Sequence, residues 1–549
     1  MSTIAILLSA FVLSMVALLV FIWSQGSGLF QRSSKAAEVI FAPGEVGTVE
    51  EPAASGGDQQ RLRNQLEGHP EPEPLHAAAE LELLERAKSD ASSSSVVLLF
   101  LCCSMAWLLV ASAAGLTASL KLHEPDWLAG IAWLTFGRVR TIHLNAVAYG
   151  WAPMAGLGIA LFSIPRLLKT QLVGARFAVT GGVLWNVALA TGLFSIGAGF
   201  NDGLEWLEIP WQVDTLFVVG GALVGLPLVQ TLLRRRVDHL YVSVWYMACA
   251  LFWFPVLFLI ANMPGLHHGV EQATMNWWFG HNVLGLFYTP LALASVYYFL
   301  PKVIGRPIQS YNLSLLGFWG LAFFYGQVGG HHLIGGPVPE WLITLSIVQS
   351  MMMVVPVVAF TVNQYQTLRG RLAALRWSPT LRFIGFGGLM YTASSIQGSF
   401  EALRSVNVVA HFTHYTVGHA HLGLYGFVSM VFFGGIYFIV PRVTGREWPS
   451  AGLISVHFWC AAIGIAIYFV TLTVGGWLQG SAMLDSARPF MDSVRVTLPY
   501  LKGRSIGGAL MVMGHLVFVG HFVWLLLSRK QTSGAPTLLR TVQGKNHAQ

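Results

Sequence analysis

"YTVGHAHLGLYGFVSMVFFGGIYFIV", residues 415–440, decides the fold class. The stretch holds no Asp, Glu, Lys or Arg. About 20 apolar residues suffice for a helix to cross a bilayer. The rest of the chain follows suit: of 549 residues, 54% are hydrophobic and 10% charged, with mean hydropathy +0.60. A soluble domain carries about 25% charge. Long unbroken apolar runs predict an all-α polytopic membrane protein, because a helix satisfies its backbone polar groups internally in lipid.

About thirteen spans are expected, near 4–23, 97–119, 141–163, 175–198, 211–231, 239–262, 276–300, 312–333, 341–363, 383–400, 417–440, 455–478 and 507–527. The chain divides into a single transmembrane helix in 1–45, a flexible polar linker in 46–95 and a twelve-helix domain in 96–549. The linker reading rests on "EEPAASGGDQQ", "GHPEPEPLH" and "ASSSS", which are poor in apolar residues. Cys102, Cys103, Cys249 and Cys460 lie in apolar runs without CxxC or CxxCH spacing, so free buried thiols are expected and no covalent haem c. Net charge is +7, spread over short loops. That sets topology and excludes a nucleic-acid patch.

Basic loops at 165–176, 232–239, 301–307, 367–382 and 441–448, with the tail after Arg529, fall on one side, expected to be cytoplasmic. The outer loop "NDGLEWLEIPW" (201–211) is acidic. Two outer loops, 119–140 and 479–506, break the rule with Arg138, Arg140, Arg488, Arg495, Lys502 and Arg504. Outer arginines need another reason, such as an anionic cofactor.

Of eighteen histidines, six stand out in or at the ends of spans: His143, His281, His331, His332, His419 and His421. An intramembrane histidine is costly and marks a functional site by default. With helices alternating in direction, all six reach a similar depth near the outer face, on four helices. At about 100° per residue, His419 and His421 project some 200° apart and cannot share one metal. They can serve two cofactors flanking their helix. Histidine is an ordinary axial ligand of haem. Six divide into a bis-His haem, a mono-His haem and a three-His metal, with copper, iron and zinc all open. The adjacent pair His331 and His332, set among glycines, suits one metal.

The stretches "RTIHLNAV", "WWFGHNVLG", "YYFLPKVIGRP", "VNVVAHFTHYTVGHAHLG" and "IVPRVTGRE", with HH following a tyrosine, resemble the haem–copper oxidases, and within them the catalytic subunit of cbb3-type cytochrome c oxidase. The resemblance runs from about residue 97 to the C-terminus. It implies low-spin haem b on His143 and His421, high-spin haem b3 on His419, and copper (CuB) on His281, His331 and His332. It implies that Tyr325, two helical turns before His332, is covalently linked to His281 and supplies a proton and an electron when the O–O bond breaks. A tyrosine in "LAFFYGQ" alone reads as packing.

Glu205 and Glu208 share a face if helical, and hard carboxylates suit calcium. The resemblance puts a calcium there, against haem propionates that Arg138 and Arg140 can pair. It implies a single proton path matched by Tyr297, Ser314 and Tyr391. Gln397 of "SIQGSFEA" stands where the family has an acid, with Glu401 a turn on as a substitute. The implied activity is reduction of O2 to water with electrons from cytochrome c, coupled to proton uptake and translocation. The implied setting is the bacterial inner membrane, with the centres near the periplasmic side and membrane-anchored cytochrome c subunits as partners. "FIWSQGSGLFQ" and "AEVIFAPGE" are similar to the small single-helix assembly protein of these oxidases. Two other readings are a nitric oxide reductase and a haem-free transporter or sensor. The first has iron in place of copper and a glutamate where this chain has Gly285.

Overall fold

The computed structural model describes Leu19, residues 33–66 other than Pro43, and residues 77–528. The anchor helix expected over 4–23 and the tail after Arg529 lie outside these, apart from Leu19. Twelve helical rods follow one another: α1 Ala77–Lys121, α2 Phe136–Leu167, α3 Ala175–Ala198, α4 Trp211–Leu233, α5 Val242–Ala261, α6 Gly269–Ile304, α7 311–333, α8 Glu340–Leu368, α9 Pro379–Glu401, α10 His414–Thr444, α11 Ala451–Leu484 and α12 Phe490–Leu527. Ten are long and apolar enough to cross a membrane. The other two are α7 and α9. This is the expected twelve-helix core of a multi-pass membrane protein.

Three rods form the centre. The hydrophobic windows of α2, α6 and α10 are 94, 89 and 83% buried, against 33–50% for the other seven spans. Each central rod contains a π-helical segment: Ala146–Trp151, Leu284–Tyr288 and Leu422–Ser429. π-turns are rare and gather at functional sites. Here each begins within three residues after a histidine: His143, His281 or His421. The extra residue per turn rotates the rest of the helix relative to that histidine. Each rod then reaches its other end at a proline followed by a base: Pro165–Arg166, Pro301–Lys302 and Pro441–Arg442.

Two expectations change. Residues 46–95, read as a flexible linker, are folded in their described part. Gly56–Leu66 is helical, α1 starts at Ala77 instead of residue 97, and Glu51, Leu62 and Leu66 are buried. The Ala, Glu, Leu and Lys of the early part of α1 are strong helix formers. The serines of "ASSSS" bond back to the turn before them, Ser92 Oγ to the Ser89 carbonyl and Ser94 Oγ to the Asp90 carbonyl, each at 2.6 Å. The outer loop expected over 479–506 is mostly helix, since α11 runs to Leu484 and α12 starts at Phe490. At 1.5 Å per residue, α12 is about 57 Å long, well beyond the ~30 Å of bilayer hydrocarbon. That added length carries Arg504 over the histidine end of the core.

Candidate functional site

The histidine ends of the central rods open on one cavity of about 460 Å³, lined by all six of the histidines singled out above. His281, His331 and His332 form the one three-ligand cluster among the described residues, with ligand atoms within 4.8 Å of one another. Local structure explains how two adjacent histidines reach His281. The end of α7, Tyr325–Leu333, tightens into a 3₁₀ helix, so its residues are wound three per turn. Gly329 lets that turn sit against α6: a Cβ there would meet the Trp277 carbonyl oxygen at 2.5 Å and His281 Cβ at 2.7 Å. His331 Nδ1 lies 3.1 Å from Ser350 Oγ. The His332 ring stacks on Trp277, 4.2 Å between centroids. His281 Nδ1 is buried without a hydrogen-bond partner. An orphaned ring nitrogen in a three-imidazole cluster fits a metal ligand, and the donor set suits copper, iron or zinc.

Tyr325 stands beside this cluster, its ring centroid 5.0 Å from that of His281. Gly285 makes room: a Cβ there would fall 1.8 Å from the Tyr325 ring. The glutamate that the iron-bearing alternative needs has no space at this position.

His143 and His421 face each other from α2 and α10. Their ring centroids are 6.3 Å apart and their planes differ by 8°. Each Nδ1 points at a backbone carbonyl, Ala111 at 2.8 Å and Val417 at 2.9 Å. Donation from Nδ1 leaves Nε2 as the ligating atom, the usual outer support of a metal-bound histidine; at His421 that atom has the Tyr468 hydroxyl beside it. His419 is on the other side of α10, its ring against Gly398 of α9, and its Nδ1 is buried without a partner. The two-residue spacing thus splits the helix as expected, and the residues present fit two haems and one metal.

The acidic loop is not helical. A bridge between Leu204 and Leu207 closes a turn, with Trp206 at φ 71°. Even so, Glu205 pairs with Arg140, and Glu208 lies 3.8 Å from the same guanidinium while accepting from Asn145 Nδ2 at 2.9 Å. Burial pushes the Glu208 carboxyl up to about 7. Arg138 does not join them. It donates to the Gly197 carbonyl at 2.9 Å, satisfying an unpaired acceptor at the end of α3. Arg138 and Arg140 are two residues apart on a helix, so only one of them can face the cavity.

Arg504 faces it instead, donating to Tyr468 Oη at 2.9 Å, and that hydroxyl lies 3.2 Å from His421 Nε2. The sequence shows Arg504 only as a base on the wrong side of the membrane, and gives no signal for Tyr468. Tyr391 lines the cavity, with its ring on Phe360, which also touches Tyr297. Ser314 Oγ bonds back to the Tyr311 carbonyl at 2.6 Å. Gln397 does not line the cavity, and both its amide atoms are buried without partners. Glu401 accepts from Thr416, three residues before His419.

The family described as Cytochrome C and Quinol oxidase polypeptide I matches residues 95–510. The chain is similar to cbb3-type cytochrome c oxidase subunit CcoN1 of Stutzerimonas stutzeri, 32% identical over 450 residues, covering 79% of this chain and 95% of that protein. It is also similar to cytochrome c oxidase subunit 1 of Rhodobacter capsulatus, 31% identical over 423 residues and 73 and 79% of the two chains. A haem–copper terminal oxidase dimer solved by cryo-electron microscopy shares the fold, with TM-score 0.65 at 17% identity over 82% of this chain and 89% of that one. With the family match over residues 95–510 and the relatives above 30% identity, and with its histidines sorted into a facing pair, a lone ring and a triad, the chain belongs to the haem–copper oxidases as a subunit I.

Proposed function

We propose that this chain is the catalytic subunit of a cbb3-type cytochrome c oxidase. It reduces O2 to water with electrons from cytochrome c and takes up protons as it does so. The observation that carries this is the His281, His331 and His332 cluster with Tyr325 beside it. This cluster shares one cavity with His419, and α10 alone separates His419 from His421. His143 and His421 would hold low-spin haem b, His419 haem b3, and the triad copper. When bound, these groups carry the electrons that O2 reduction requires.

The protein's own residues do the rest. Ser350 and Trp277 fix the rings of His331 and His332. Tyr325 holds a proton at its hydroxyl beside the triad. Arg140 and Arg504 give the cavity wall the positive charge that carboxylate groups of a haem would need. Tyr297, Ser314 and Tyr391 lie along the proton path, and Glu401 takes the acidic role that Gln397 cannot. The N-terminal 45 residues are assigned to assembly, as a fused maturation segment. The histidine end faces the periplasm across the bacterial inner membrane, where membrane-anchored cytochrome c subunits would deliver electrons.

Calcium at Glu205 and Glu208 fits less well. Arg140 already supplies their positive charge, and calcium takes six to eight oxygen ligands. Glu208 Oε1, however, is buried without a hydrogen-bond partner. Optical and elemental analysis of the purified complex tests the whole reading. The expected result is two haems b and one copper per chain, no non-haem iron, and O2 consumption with reduced cytochrome c; calcium content tests the Glu205 and Glu208 site. Non-haem iron without copper would overturn it.

A further inference from the structure

At the end opposite the histidines, Arg166, Lys302 and Arg442 close the three central rods, and they are only 3, 1 and 4% exposed. A buried base without a counter-ion is strongly destabilising. Each has one. Arg166 Nη1 meets Asp90 Oδ2 at 2.8 Å, and Lys302 Nζ meets Glu45 Oε2 at 2.5 Å and Glu50 Oε2 at 3.7 Å. Arg442 pairs with Glu50. Glu45 is tied in turn to Arg86 at 3.3 Å. Glu51, 2% exposed, accepts from the hydroxyl of Ser378 and from the hydroxyl and amide of Thr380 at the start of α9. The backbone docks as well. The Gly47 amide donates to the Gly305 carbonyl at 2.7 Å, and a Cβ at Gly305 would meet the Thr48 carbonyl oxygen at 2.2 Å.

The bases lie inside the stretch that matches the family, which starts at residue 95. Among the described residues, every carboxylate paired with them comes from before it. We propose that residues 45–51, together with Asp90 of α1, are a built-in acidic lock. They fill a basic socket at the far ends of the three central rods, fix those rods relative to one another, and so hold the geometry of the histidines that these rods carry at the other end. The socket takes a short acidic peptide, and its occupant is this chain's own segment. The effect on the ligands rests on the proposed function. The lock itself does not.

The test is hydrogen exchange by mass spectrometry on the full-length purified complex, with haem content measured in parallel. In Glu50→Gln, the amides of 44–54 and the far ends of α6 and α10 should exchange about tenfold faster or more, and haem per chain should fall. Glu50→Gln with Arg442→Gln removes both charges and should recover most of the protection. Should the single variant not accumulate, the double variant is expected to, and failure of both overturns the pairing. Faster exchange confined to 44–54 would make the segment a passenger and reject the lock. A loosened lock with unchanged haem content and spectrum would reject its hold on the ligands. A wild-type complex without haem would overturn the proposed function, while the exchange result would still decide the lock.

Discussion

At the scale of single residues, space decides more than chemistry does. Gly285 has no side chain because the Tyr325 ring occupies the place where one would stand. Gly285→Ala should push Tyr325 off His281 and cut O2 turnover about 100-fold, the usual cost of moving a reacting group by about 1 Å. Both haem spectra should persist. A variant with full turnover would show that Tyr325 is not held by this contact. Burial sets the behaviour of Glu208. Its carboxyl, pushed from 4.5 up to about 7, holds its proton more tightly in the folded chain. Folding therefore takes up a proton between these two values, and stability falls as pH rises through that window, by about 3 kcal/mol at most. Glu208→Gln should flatten the dependence of melting temperature on pH between 5 and 8. Parallel profiles for the two proteins would disprove it. The sequence marks Glu208 as acidic, but the desolvation that shifts it depends on a fold-back of the loop that composition does not encode.

At the scale of one helix, the histidine spacing on α10 is the clearest signal in the chain. An angle of about 200° between His419 and His421 follows from helix geometry alone, and the structure sets their rings toward α9 and α2 respectively. His421→Ala should abolish the low-spin absorption, and His419→Ala should abolish turnover while keeping it. Optical spectra of the two variants, reduced minus oxidised, distinguish them, and exchanged phenotypes would reverse the assignment. The same two-residue reasoning applies to Arg138 and Arg140, of which only Arg140 faces the cavity. The π-turns are harder to foresee, because one extra residue in a hydrogen-bonded turn leaves no mark on hydrophobic periodicity. Neither does the 3₁₀ ending of α7, although the glycines around His331 and His332 hint at an irregular backbone.

At the scale of the whole molecule, twelve rods are legible because each has a long apolar run, whereas which three are central is not. In lipid the outer surface is as apolar as the interior, and α2, α6 and α10 are no more hydrophobic than their neighbours. A different trace was available. "SIPRLL", "FLPKVIGR" and "IVPRVTGR" repeat a proline and a base at 163–168, 299–306 and 439–446, once at the end of each central rod. These rods are thus anchored by ion pairs at one end and, in the proposed function, by shared cofactors at the other. Only the second anchor depends on cofactors. Removing haem and copper, by expression under haem limitation and chelation, leaves facing imidazoles in a cavity with nothing to join them. A group that binds the folded state alone stabilises it by mass action, so the cofactor-free protein should melt several degrees lower. Its faster hydrogen exchange should be concentrated at the histidine ends of α2, α6 and α10. The Pro165, Pro301 and Pro441 ends should stay protected by their ion pairs. Uniform loosening along all three rods would mean that the cofactors, and not the charges, hold the far ends together.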